Sequence, residues 1–232
     1  MDVRSVHAKT ERLSDPDVTP AVWGGLEVPH GMPPYPGVIL LGGSGGLHAG
    51  YESVARSFAD AGFVALTLDY LAETGVEPSP EARQRYWPLW QALVRNAVAV
   101  LEASPLLAGR PIGLVGYSLG AFVAVSAASA LPQVGAVVDF FGGGGWGDRS
   151  PDEEARTLPP LLILHGEADS IVPVSRAYEL RDAVIAHGGE VEVQIYPGAG
   201  HGFSGPWTPW YSEQAAADSF RRTVDFLRRR LQ

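Results

Sequence analysis

The sequence predicts a doubly wound α/β sheet, parallel over most of its width, and three observations predict it. Short, nearly continuous apolar runs rich in β-branched residues recur along the chain, as strands covered on both faces require. Longer segments with helical periodicity lie between them, and β-α alternation folds into a parallel sheet with helices on both sides. The chain has 232 residues, 46% hydrophobic and 19% charged, with no linker-like stretch between halves. That fits one domain over residues 1–232.

The strand candidates are Val38–Leu41, Phe63–Leu68, Ile112–Val115, Ala136–Val138, Leu161–Leu164 and Val191–Ile195. The last alternates apolar and polar residues, which suggests the sheet edge. Trp23–Val28 is a candidate antiparallel edge strand. Helical patterns cover roughly Tyr51–Ala61, Glu81–Ala103, Leu119–Ala130, Val174–His187 and Tyr211–Leu231. Gly62 and Gly188 follow two of them as C-terminal caps. In such sheets the chemistry collects in loops at the C-terminal ends of the strands.

Composition excludes several functions. The formal net charge is -9, and the basic residues form no stripe; the run Arg228–Arg230 sits where it complements a helix dipole. Nucleic acid is not an expected partner. There is no cysteine, which removes disulfides, thiolate metal sites and a cysteine nucleophile. No apolar stretch reaches the ~20 residues of a membrane helix, and Met1–Pro20 has no signal-peptide core. The expectation is a cytoplasmic protein, monomeric or homodimeric, that does not bind membranes.

Gly116-Tyr117-Ser118-Leu119-Gly120 matches G-x-S-x-G. A serine in a sharp strand-to-helix turn needs small neighbours two residues away on each side, so that the backbones can pass. The helix behind it then turns free N–H groups toward a developing anion. A second match, Gly42-Gly43-Ser44-Gly45-Gly46, is separated from the next helix by further loop residues. Ser118, directly between strand and helix, is the candidate nucleophile.

Acid and base should follow the serine in that order, each after a later strand. Three histidines lie downstream. His187 reads as a helix-end residue, and His165 as a structural residue closing a strand. His201, flanked by Gly200 and Gly202 after the last strand, is free to reach back over the sheet and is the candidate base. Asp169 follows the penultimate strand and is the candidate acid, although an aspartate there could simply cap the next helix. Glu167 and Asp139 are its rivals. The oxyanion donors expected are the Leu119 amide and, from the glycine-rich loop, the Ser44 amide, with Gly43 as the alternative. That loop lacks the lysine and spacing of a phosphate-binding loop.

Together these residues resemble the dienelactone hydrolase family of α/β-hydrolases. The resemblance runs from about Pro36 to Leu227, through Gly113–Gly120, His165–Asp169 with Val172-Pro173, Gly200–Phe203 and Thr223–Leu227. It implies a nucleophile–histidine–aspartate triad acting on esters or lactones, with no cofactor and no metal. It also implies that Arg83 could bind a substrate carboxylate, where the alternative is a solvated helix arginine. Two departures argue against dienelactone as substrate. Ser118 replaces the family's cysteine, and Gly205 stands where a second carboxylate-binding arginine is expected. Trp87, Trp146, Trp207 and Trp210 are candidate walls of an apolar substrate cleft, although at least one should be a packing residue.

The function expected is a serine carboxylesterase acting on small to medium esters or lactones. The alternatives are an acyl-thioester hydrolase, which the glycine-rich segment Pro36–Gly46 also resembles, and a non-catalytic ligand-binding member of the fold.

Overall fold

In the computed structural model the described residues are 11–13, 20–72, 74 and 79–231. Their elements, in chain order, are β1 (Glu11–Arg12), β2 (Trp23–Glu27), β3 (Gly37–Leu41), α1 (Ala49–Asp60), β4 (Val64–Leu68), α2 (Pro80–Glu102), β5 (Ile112–Tyr117), α3 (Leu119–Ala128), β6 (Val134–Phe140), α4 (Pro151–Ala155), β7 (Leu161–Gly166), α5 (Ser175–Ala186), β8 (Val191–Tyr196) and α6 (Glu213–Arg230). The strands form one sheet in the order β1-β2-β4-β3-β5-β6-β7-β8. Only the β1–β2 and β2–β4 pairs are antiparallel. The mostly parallel α/β sheet expected from the sequence is present, with β8 at one edge.

Alternation along the buried strands divides the core into two layers. Ile39 and Leu41 join α2, α3 and α5 on one face, with Trp90, Val94, Phe122 and Leu180. Val38 and Leu40 face the other way, onto Tyr51 and Phe58 of α1 and Phe226 and Leu227 of α6. Helix α3 is buried at every position, which its small and apolar sequence permits.

Local chemistry sets several boundaries. Gly62 and Gly188 have positive φ, +95° and +73°, just after α1 and α5, as C-terminal caps should. Helix α6 begins at Glu213, later than its pattern suggests, because the Ser212 hydroxyl caps the Ala215 amide. The short α4 was not foreseen. Its signal is a capping box, with Ser150 and Glu153 bonding each other's backbone N–H. The arginines at the end of α6 are not merely solvated: Arg229 pairs with Glu192 and Arg230 with Glu190. Among the described residues no helix is long and apolar enough to cross a membrane.

Candidate active site

Ser118 follows β5 and precedes α3, with φ +53° and ψ −119°. Such a backbone costs on the order of 1–3 kcal/mol for a residue with a side chain, so its surroundings must enforce it. Gly116 and Gly120 show how. A Cβ at Gly116 would lie 2.4 Å from Ala121 Cα, and one at Gly120 would lie 2.2 Å from the Leu41 carbonyl oxygen. The Ser118 amide donates to Phe140 O at 2.9 Å, which ties the turn to β6.

Two further loops leave the same end of the sheet. After β7 the chain turns at Asp169; after β8 it turns at His201. Backbone bonds join these loops, with the Ala168 amide donating to Ala199 O at 2.9 Å and the Glu167 amide to Tyr196 O at 3.0 Å. Gly166 is glycine because Ala199 O would sit 2.3 Å from its Cβ. The result is a chain of contacts: His201 Nδ1 lies 2.8 Å from Asp169 Oδ2, and His201 Nε2 lies 2.9 Å from Ser118 Oγ.

The Asp169 carboxylate is fully buried but well solvated by protein donors. Its Oδ1 accepts from the amides of Ile171 (2.9 Å) and Val172 (2.8 Å). Burial pushes its pKa upward, but the His201 hydrogen bond and these amides outweigh it, and the net shift is downward. An ionised Asp169 accepts from Nδ1–H, which leaves Nε2 to accept from the Ser118 hydroxyl. His165, wholly buried, holds the Asp169 turn from behind: its Nε2–H donates to Val172 O at 2.9 Å. Burial lowers its pKa, consistent with a neutral ring.

The rival acids bond elsewhere. Glu167 accepts from the Gly198 amide at 3.3 Å. Asp139, fully buried, accepts from the Gly142 amide at 2.8 Å, and burial raises its pKa to about 7. His187 caps α5 and meets Asp152 Oδ1 at 2.8 Å.

Among the described residues, the amides of Ser44 and Leu119 donate to no protein acceptor. The Gly43 amide does: it donates to Tyr51 Oη at 3.0 Å. In the glycine-rich loop the Gly43 amide is thus engaged and the Ser44 amide is available. Both residues border a cleft of about 620 Å³ that also exposes Ser118, His201 and Trp207. No aspartate, glutamate, lysine or arginine is among the described residues lining it.

The other tryptophans fall away from this cleft. Trp87, on the sheet-facing side of α2, is buried against Trp90 and lies so close to Gly147 that a Cβ there would meet its Nε1 at 2.1 Å. Trp146 folds back from the glycine run onto Phe122, with ring centroids 4.3 Å apart. Trp210 covers Gly200 on the far side of the His201 loop and lines a separate hollow. Packing claims Trp87 and Trp146, and Trp210 is exposed elsewhere, so of these four tryptophans only Trp207 stands at the cleft wall. The Arg83 side chain lies outside the described residues. Sequence reasoning missed His48, Tyr51 and Phe141, which also line the cleft. The signal for the first two was the onset of a helix immediately after a glycine-rich loop.

A mostly parallel sheet with a serine elbow after β5 and a histidine loop after β8 defines an α/β hydrolase fold. Solved structures share it. A dienelactone hydrolase-like promiscuous phosphotriesterase from metagenomic libraries superposes with a TM-score of 0.80 at 22% identity, covering 91% of this chain and 94% of that one. A dienelactone hydrolase from Anabaena variabilis gives 0.70 at 21% identity, covering 96% and 97%. The dienelactone hydrolase family profile matches residues 24–231, and the chain belongs to that family. Among curated relatives, a Bradyrhizobium protein named as a probable 2-oxo-3-(5-oxofuran-2-ylidene)propanoate lactonase is 28% identical over 208 residues, 83% of each chain.

Proposed function

We propose that this chain hydrolyses uncharged carboxylic esters, lactones included, through an acyl-enzyme on Ser118. The observation that carries the reading is the Asp169–His201–Ser118 hydrogen-bond chain, at 2.8 and 2.9 Å, on a serine held at φ +53°. His201 Nε2 takes the hydroxyl proton as Ser118 Oγ attacks the carbonyl carbon. Asp169 holds the reactive tautomer and stabilises the imidazolium. The Leu119 and Ser44 amides meet the oxyanion, each such donor being worth about 10²–10³ in kcat. His201 then gives its proton to the departing alkoxide. In the second half it deprotonates a water that releases the acid and restores Ser118.

The preference for uncharged substrates rests on the cleft lining. A carboxylate entering it would find no lysine or arginine among the described residues, and desolvating an unpaired carboxylate is costly.

The test is labelling with a fluorophosphonate probe and turnover of p-nitrophenyl acetate. Wild type should be labelled at Ser118. Ser118→Ala should be unlabelled, should keep its melting temperature within a few degrees, and should lose about 10⁶-fold in kcat. A folded Ser118→Ala that retains most of its hydrolysis would overturn the reading.

A further inference from the structure

Beside Ser118 the cleft ends in three aromatic side chains from two separate segments. His48 is the N-cap of α1, Tyr51 lies in its first turn, and Trp207 comes from the loop after His201. Their ring centroids form a triangle: His48–Trp207 at 4.6 Å, His48–Tyr51 at 4.7 Å and Tyr51–Trp207 at 5.5 Å. Trp207 is 40% exposed, yet its indole is closely set. A Cβ at Gly50 would come within 2.3 Å of its Cε3, and a Cβ at Gly205 within 2.7 Å of its Cε2. Bare backbone from the first turn of α1 and from the loop after His201 thus fixes the plane of the ring.

His48 contributes a second feature. Its Nδ1 accepts the Gly50 amide at 3.1 Å. A neutral imidazole that accepts at Nδ1 carries its proton on Nε2. Burial lowers the His48 pKa, which favours that neutral form. Nε2 has no protein partner among the described residues. The wall therefore offers one flat indole and one uncharged N–H donor.

We propose that His48 and Trp207 are specificity-determining residues that select esters bearing an uncharged planar ring with a hydrogen-bond acceptor. The proposal rests on the ester-hydrolase reading above and narrows it. A planar ring packs on indole through edge and face contacts that a puckered ring of equal area does not reproduce, a gain of up to about tenfold. An acceptor on that ring pairs the His48 Nε2–H, which an acceptor-free ligand leaves unpaired once water is expelled.

Matched acetates test both parts. Benzyl and cyclohexylmethyl acetate differ in ring planarity with leaving alcohols of similar basicity; the three pyridylmethyl acetates, assayed at pH 8 where the pyridine is neutral, add an acceptor. Wild type should prefer benzyl over cyclohexylmethyl by about tenfold in kcat/KM, and the best pyridylmethyl isomer over benzyl by about fivefold. Trp207→Leu should bring the first ratio close to one. His48→Ser, which keeps an N-capping oxygen but has no N–H, should do the same to the second. Gly205→Ala, which pushes a methyl into the indole without deleting any group, should also shrink the first ratio. Ratios near one in wild type, or unchanged in folded variants, overturn the proposal. Fluorophosphonate labelling in parallel separates the two levels. A labelled Ser118 with flat ratios sinks only the selectivity claim, whereas an unlabelled wild type with a fully active Ser118→Ala sinks the ester-hydrolase reading beneath it.

Discussion

Gly42–Gly46 and Gly116–Gly120 carry the same five-residue pattern, glycine flanking serine two positions away on each side, and they fold into different objects. At Ser118 the backbone passes directly from β5 into α3 at positive φ, and both glycines are sterically required. At Ser44 the chain makes a hydrogen-bonded turn, with the Gly46 amide donating to Gly43 O at 3.0 Å. Helix α1 starts only at Ala49, and a Cβ at Gly45 would meet nothing within 4 Å. The two segments also abut: the space a Gly120 side chain would need is taken by Leu41 and Gly42 carbonyls. One copy presents a hydroxyl to His201; the other borders the same cleft, and its Ser44 amide donates to no acceptor among the described residues. What separates them is not the pattern but the element that begins immediately after it.

The two serines should differ most, since the loss of about 10⁶-fold expected for Ser118→Ala should have no counterpart at Ser44. The next contrast lies beneath the elbow. Asp139 is buried where β6 ends, holding the Gly142 amide, and a Cβ on Gly142 would touch Ala121 of the elbow helix. Burial raises the Asp139 pKa from 3.8 to about 7. Between those values the unfolded chain releases a proton that the folded one keeps, so stability falls as pH rises. The size is roughly 4 kcal/mol across the window. Asp139→Asn keeps an acceptor for Gly142 and cannot titrate. Its denaturation free energy should be flatter than wild type from pH 4 to 7. Parallel pH profiles for the two proteins would show that Asp139 ionises freely in the fold.

The fold was legible because strand burial on two faces writes itself into sequence as continuous apolar runs. The elbow was legible for a related reason: helix α3 begins at the residue after Ser118, and its small apolar residues read as a buried helix. Asp169 and His201 were legible only through their order along the chain. Neither carries a local signal that separates it from a helix cap or a solvated loop residue, and their meeting depends on β7 and β8 being neighbours. The tryptophans were not legible. A loop tryptophan packs wherever a glycine lets it, and Trp146 found Phe122 while Trp210 found Gly200. His48 and Tyr51 were missed because their roles arise from one helix turn folding back onto the loop that precedes it.

Tyr51 gives a smaller test on the Ser44 side. Its hydroxyl accepts the Gly43 amide, which sets the glycine-rich turn and leaves the neighbouring Ser44 amide free. Burial raises the Tyr51 pKa to about 12, so it remains a neutral phenol under assay conditions. Tyr51→Phe should lower kcat about tenfold, the worth of one partly buried hydrogen bond, with the loss constant from pH 7 to 9. A loss that grew with pH across that range would mean the phenol titrates there instead.

The smallest effect expected is also the most discriminating. Ser44→Ala removes the hydroxyl from the second copy of the pattern and leaves its amide in place. If the backbone alone acts at this position, kcat on p-nitrophenyl acetate should change by less than about twofold, because no transition-state donor is lost. The same substitution at Ser118 removes the attacking atom. A Ser44→Ala enzyme that lost a hundredfold or more would make its hydroxyl, not its amide, the working group, and the division of labour between the two serines would have to be redrawn. Near-wild-type turnover would leave the two matching segments divided as their backbones divide them: one supplies a side chain and the other a peptide N–H.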